Sequence, residues 1–466
     1  MEINPAVTFK HERELMFAKR PKVLIVGAGL GGLTLGAILQ KSDIPYDIFE
    51  RAPKVKPLGS AICFNATMAP FLHQMGLMEE FVSLSKLVPS IQIADQDRQI
   101  KFTMTGGFDD ARRKYGGETR VIPRPEFYDM ILQQVPKERI HFGKKILTTK
   151  QGGNGVLLRC SDGTEYEGDI LVGADGAHSA VRQNLYAELK KENKLPPSDD
   201  VALPFSTICL VGQTKPLTLE EFPHLALDES QFIRMLAGEQ PYTNATFTTK
   251  RNTVCWSLVQ YLDAETSREN DSFRNSEWGP EAAEAMCEQV RDQPVIAGGD
   301  RMLTIGDLID WTPKEYISKV MLEQKVFQTW HSCRTVLIGD ACHKLNPSGG
   351  VGATNAMHDA IVLANYIHAL PHHPIADEIE SALTSYQAER IEWVEKDFAR
   401  SLMLKKMVSK GLVPMIIRFM IKYMPEFMMS KRADEIALVK PALQPSLNLK
   451  GPTHQQQEEG IPAQTI

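Results

Sequence analysis

The stretch "KVLIVGAGLGGLTLGAILQKSDIPYDIFE", residues 22–50, narrows the folds open to this chain more than any other segment. Val23 to Val26 form a short apolar, β-branched run, suited to a strand buried on both faces of a parallel sheet. Gly27, Gly29 and Gly32 follow at G-x-G-x-x-G spacing, and Leu33, Leu35, Ala37, Ile38 and Leu39 continue as a helical apolar stretch. In such a unit the first glycine permits the sharp turn, the second lets backbone approach a pyrophosphate, and the third packs helix close to strand. The helix start then offers free N–H groups and a positive dipole end to phosphates. A second strand, "YDIFE", ends in Glu50, 23 residues beyond Gly27, where a carboxylate accepts hydrogen bonds from ribose hydroxyls and repels a 2′-phosphate. Strand, glycines, helix, strand and acid in this order predict a dinucleotide site, but this segment alone leaves nicotinamide and flavin both open.

A chain of 466 residues is long for one core and suggests two or three domains of ~150 residues or more. Its 52 basic against 58 acidic side chains give a net charge of −6, which does not indicate a general affinity for nucleic acid. The seven cysteines are an odd number without C-x-x-C spacing, so neither a disulfide framework nor a metal site is expected, and a reducing, cytoplasmic setting fits best. The N-terminus carries charges of both signs and lacks a signal-peptide apolar core. No apolar run reaches the ~18 residues of a spanning helix. One segment, "LVPMIIRFMIKYMPEFMM" from Leu412 to Met429, is apolar but broken by Arg418, Lys422, Glu426 and two prolines. It is either an interfacial helix making peripheral membrane contact or a helix packed on protein, and the second is the expectation.

The pattern along the chain is α/β, α+β overall. Residues 20–90 begin a Rossmann-type nucleotide domain, and 91–200 continue it with a helix from Arg124 ("RPEFYDMILQQVP") and a β-rich insertion. Residues 201–318 alternate strands such as "TVCWSLVQYL" with helices such as "PEAAEAMCEQVRD" and predict an inserted α+β domain with a β-sheet. The apolar strand "RTVLIGDAC" returns the chain to the first domain across 319–400. A C-terminal helical region at 401–446 and a disordered tail at 447–466 complete the division. No second G-x-G-x-x-G occurs, which implies one persistent dinucleotide site.

Three motifs stand in order: "GAGLGG" (27–32), "DGAHSAVR" (175–182) and "GDACHKLNPSGGVGATNAMHDA" (339–360). Together they resemble the single-component flavoprotein monooxygenases of the aromatic-hydroxylase type, over roughly Lys22 to Arg390. The resemblance implies FAD, with Glu50 holding its ribose, Arg124 reaching the flavin, Asp175 and Gly176 forming a DG motif, and Asp340 bonding the ribityl chain. Gly350, Gly352 and Ala353 fall where a helix start meets the isoalloxazine, and Cys63 in "LGSAICFN" stands at a further flavin contact. It also implies NAD(P)H as a transient co-substrate, O₂ as oxidant, and transfer of one oxygen atom from a flavin C4a-hydroperoxide to an aromatic or apolar small molecule. No side chain is assigned as catalytic.

The same residues carry a reading of their own. Asp340 ends a buried strand, where a carboxylate needs donors that polyol hydroxyls supply, or else caps the next turn. The helix start after Gly350 can stabilise negative charge on a flavin ring. His343 either shuttles protons or makes a structural hydrogen bond, the latter being expected; Cys342 packs as a small hydrophobe, and Ser179 and Arg182 serve the DG turn. Phe205, Trp256, Leu258 and Tyr261 are candidates for a substrate wall, each more readily explained as core. Rival readings are an FAD-dependent reductase or dehydrogenase on the same fold, a flavin-containing redox-sensing protein, and a plain NAD dehydrogenase, which leaves the second and third motifs idle.

Overall fold

The computed structural model describes residues 20–54, 61–105, 118–203, 205–239, 241–262, 280–297, 301–346, 350–408, 411–423 and 441–444. The expected tail at 447–466, Pro347 and Gly349 of the third motif, and Pro425 to Met429 lie outside this set.

The run "VLIV" forms the strand Val23–Val26, and all four of its residues are buried, as a doubly covered central strand requires. It pairs in parallel with Tyr46–Glu50 on one side and Ile170–Gly173 on the other. Ile140–Phe142 extends the sheet beyond Tyr46–Glu50, and Thr335–Leu337 extends it beyond Ile170–Gly173, again in parallel. His331–Ser332 closes that edge as an antiparallel pair. This six-stranded sheet therefore gathers segments more than 300 residues apart in sequence. Helix Leu30–Lys41 is buried from Leu30 to Leu39 because it is sandwiched between the sheet and helix Gly352–Ala369. Gly31 makes the second contact close: a Cβ there would lie 3.4 Å from the Ala356 Cβ.

The β-rich insertion is a three-stranded antiparallel sheet of Ile146–Gly152, Gly155–Cys160 and Glu165–Gly168. A second large sheet has seven strands in the order Ser318–Glu323, Phe205–Gln213, Val254–Tyr261, Tyr242–Thr248, Phe232–Met235, Ile91–Ala94 and Ile100–Met104. Its last two strands come from the stretch assigned by sequence to the nucleotide domain. One face of this sheet packs under helix Pro280–Val290, with Trp256 and Leu258 fully buried among Ala283, Met286 and Val290. Trp256 fits there because Gly212 opposite has no side chain, and its indole N–H donates to Thr312 Oγ1 at 3.0 Å. Trp256 and Leu258 are thus core, while the Phe205 side chain lies outside the described set.

Helix Ala376–Val408, 33 residues and so about 50 Å long, spans both sheets. Tyr386 and Val394 pack into the core of the first, whereas Met407 and Val408 pack with Ile93 of the second. Helix Leu412–Lys422 follows, with Ile417 and Ile421 added to that second cluster beside Tyr261. Among the described residues no helix is long and apolar enough to cross a membrane. All seven cysteines are free.

Candidate functional site

The glycine turn is built by steric exclusion. Gly27 has φ +106°, and a Cβ there would stand 2.3 Å from the Ala174 carbonyl oxygen, next to Asp175. A Cβ on Gly32 would stand 2.0 Å from the Gly27 carbonyl oxygen. Gly29 differs: nothing lies within 4 Å of where its Cβ would be, so its bare backbone borders open space. It caps helix Leu30–Lys41 with no side-chain hydrogen bond and no acid in the first turn, leaving a free cationic dipole end. Glu50 accepts from the Ala28 N–H at 3.0 Å and the Ala52 N–H at 2.9 Å, one bond to each oxygen, so each keeps a lone pair for a hydroxyl donor.

Helix Arg124–Leu132 brings two side chains to this turn. Tyr128, one helical turn after Arg124 and not singled out by sequence, donates its hydroxyl to the Ala28 carbonyl at 2.7 Å. Arg124 is reached by solvent and makes no hydrogen bond among the described residues. Desolvation in its hollow nevertheless lowers its pKa, against the pull of Asp340 and Tyr128. Asp340, in the 3-10 turn Gly339–Ala341 that follows the strand Thr335–Leu337, is also paired with Lys344.

The DG motif is fixed by helix Ala180–Lys191. Asp175 Oδ2 accepts from the Ala180 N–H at 2.6 Å and the Ser179 hydroxyl caps Arg182 N at 2.9 Å. Burial raises the Asp175 pKa, partly offset by these hydrogen bonds. Arg182 ties the motifs together, donating to the Ala177 carbonyl at 2.6 Å and the Ala341 carbonyl at 2.7 Å. The structural role expected of Ser179 and Arg182 is what these bonds describe.

Behind the GD turn lies a buried ionic chain that sequence reading did not find. Asp359 accepts from the Gly339 N–H at 2.8 Å, His343 Nε2 at 2.5 Å and Arg390 Nε at 2.8 Å, and Arg390 also bonds Asn355 Oδ1 at 2.8 Å. Burial acts to raise the Asp359 pKa, but His343 and Arg390 hold it far below the carboxylate range. His343 therefore has a structural partner. Cys342 is buried, and its thiol, pushed well above its ordinary pKa by burial, contacts the Leu337 and Gly339 carbonyls. Cys342, His343 and Asp359 approach one another closely enough for a metal ion, but the Arg390 guanidinium occupies the same carboxylate. Arg390 has no local motif and is found only once the long helix is placed.

Helix Gly352–Ala369 likewise starts at Val351 with no side-chain cap and no acid in its first turn. Gly350, at φ +65°, and Gly352 both face open space at the Cβ position, as does Gly176. Ala353 follows in the first turn, half-buried against the core. Bare glycine backbone, two uncapped helix starts and an arginine without a hydrogen-bond partner among the described residues suit a ligand that carries phosphates, hydroxyls and an anionic ring. Residues 27, 50, 124, 128, 175 and 340 are linked through these contacts. Cys63 lies on the strand Ala61–Phe64, paired with Arg120–Pro123, against Val121, Phe232 and Ala245. Burial pushes its thiol up to about 12, with Arg234 acting to lower it.

Comparisons with known proteins agree with this geometry. The family described as "FAD binding domain" matches residues 20–401. The FAD-dependent monooxygenase andE of Emericella variicolor is 28% identical over 400 residues, covering 82% of this chain and 78% of that protein. The FAD-dependent monooxygenase paxM of Penicillium paxilli is 27% identical over 404 residues, covering 84% and 80%. In fold, HpxO of Klebsiella pneumoniae complexed with FAD and uric acid superposes with a TM-score of 0.69 at 19% identity, over 90% of this chain and 97% of that one. PqsL of Pseudomonas aeruginosa gives 0.62 at 18% identity, over 84% and 97%. The chain belongs to the FAD binding domain family and is an FAD-dependent monooxygenase of the aromatic-hydroxylase type.

Proposed function

We propose that this monooxygenase draws electrons from NAD(P)H and inserts one atom of O₂ into an aromatic or apolar small molecule. When bound, FAD supplies the electron relay between the reduced nicotinamide and O₂. Glu50 and Asp340 hold hydroxyls of the cofactor, Arg124 and the start of helix Leu30–Lys41 balance its charge, and Tyr128 fixes the turn they share. The uncapped start of helix Gly352–Ala369 would favour negative charge on a ring held there. The observation that carries the reading is Arg124, without a hydrogen bond among the described residues and under the electrostatic pull of Asp340.

The substrate wall we assign is the face of the seven-stranded sheet that carries Arg234 and Tyr261, near Cys63. Arg234 is desolvated, which lowers its pKa, with Tyr261 and Cys63 acting to raise it. The flanking clusters are apolar, with Phe232, Phe247, Ile91 and Ile93, which keeps water from the reacting centre. HpxO and PqsL were crystallised with uric acid and 2-aminobenzoylacetate respectively, both small unsaturated molecules, in keeping with a substrate of that size.

The test is a flavin spectrum of the purified protein, followed by substrate-stimulated NAD(P)H oxidation under isotopically labelled O₂. Label in the product at one atom per turnover is expected. Reduction of substrate that proceeds without O₂ refutes the reading in favour of a reductase. Asp340→Ala is expected to purify without flavin.

A further inference from the structure

Helix Leu412–Lys422 has two faces of different fate. Pro414, Ile417 and Ile421 turn inward, the last two against the second sheet's cluster. The opposite arc carries Leu412, Val413, Met415, Ile416, Phe419 and Met420, with 49–68% of each residue exposed. Six large apolar side chains side by side on 11 residues form a continuous surface strip, unlike the scattered apolar residues of an ordinary exterior.

Charge identifies what covers it. From Phe398 to Pro425 the chain has no acidic residue, yet it has Arg400, Lys405, Lys406, Lys410, Arg418 and Lys422, within a protein whose net charge is −6. Arg400 is paired with Asp397, Arg418 donates to the Met407 carbonyl, and Lys405 lies over the Tyr261 ring, so these serve the fold. Lys422 is exposed beside the apolar arc, its ammonium over the neighbouring Tyr423 ring. An apolar arc bordered by a cation, on a helix free of acids, matches the surface of an anionic bilayer. A second copy of the chain fits less well, because a two-fold pairing of these arcs brings like-charged lysines together.

We propose that this face of helix Leu412–Lys422 seats the protein on an anionic lipid bilayer, as a peripheral contact that does not span it. Because Ile417 and Ile421 on the same helix pack beside Tyr261, the contact places the seven-stranded sheet at the lipid surface.

The experiment is flotation of the full-length, flavin-loaded protein with vesicles of phosphatidylcholine alone and with added phosphatidylserine. Two variants are compared, Ile416→Glu with Phe419→Glu, and Lys422→Glu. Flotation with the anionic vesicles, weakened about tenfold or more by either variant at unchanged flavin content, is expected. The second variant changes one exposed lysine, so a folding defect in the first does not leave the question open. Absence of flotation, or equal flotation with neutral vesicles that charge reversal leaves unaltered, overturns the proposal. So does a lipid-independent dimer that the first variant dissociates, which assigns the face to a second copy.

Discussion

His358 makes the fold acid-labile in a calculable way. It lies fully inside helix Gly352–Ala369, with Nε2 at 3.2 Å from Thr67 Oγ1, whose own hydrogen goes to Asn65 at 2.6 Å. Burial, reinforced by the Arg390 cation, lowers its pKa from the ordinary 6.5 to about 3. The unfolded chain takes up a proton as pH falls through about 6.5, whereas the native chain stays neutral until about 3. Stability is therefore complete above the unfolded value and is lost on acidification between these two limits. At a pH about one and a half units below 6.5 the loss amounts to about 2 kcal/mol, at 1.36 kcal/mol per unit. Urea unfolding of the protein and of His358→Gln, at a pH of about 7.5 and of about 5, measures it. The glutamine variant keeps a side-chain amide near Thr67 but cannot titrate, so its acid-induced loss is expected to be smaller by about 2 kcal/mol. Equal pH dependence in both proteins, within about 0.5 kcal/mol, refutes the assignment of a neutral buried imidazole.

Two glycines of one motif are expected to fail in different ways. Gly27→Ala puts a methyl group 2.3 Å from a carbonyl oxygen at φ +106°, and is expected to destabilise the fold by about 2–5 kcal/mol, read as a lowered unfolding midpoint. Gly29→Ala projects into open space from an extended backbone, so its unfolding midpoint is expected to stay put while flavin affinity falls. Asp359→Asn removes the counter-charge from the buried Arg390 guanidinium and is expected to cost about 3–5 kcal/mol, with flavin released more readily because the Gly339 turn loosens. A variant unfolding within about 1 kcal/mol of the parent counts against an ionised Asp359.

The cradle was legible where its chemistry is written in consecutive residues. Val23–Val26, the glycine helix and Glu50 form one local unit, so spacing alone placed them. Arg124 and Asp340 were placed through family resemblance, and their facing geometry depends on a sheet order that no local pattern encodes. Tyr128 was missed because a tyrosine one turn after an arginine is ordinary helix sequence. Arg390 was missed for a stronger reason: its partner Asp359 is 31 residues away, on another helix, and only packing brings them together. The seven-stranded sheet was under-read for similar reasons, since Phe232–Met235 pairs in parallel with Ile91–Ala94 across an intervening stretch with other partners. For helix Leu412–Lys422 the sequence offered two readings; Ile417 and Ile421 pack on protein, as the expected one has it, while the opposite arc is exposed and supports only a proposal.

The order in which the ionic chain is made has a bearing on biosynthesis. Gly339 is held by Asp359, and Asp359 by Arg390, so the turn bearing Asp340 is secured only once residues more than 360 positions beyond Gly27 have been translated. On this account the glycine motif waits during synthesis for a partner that emerges long after it.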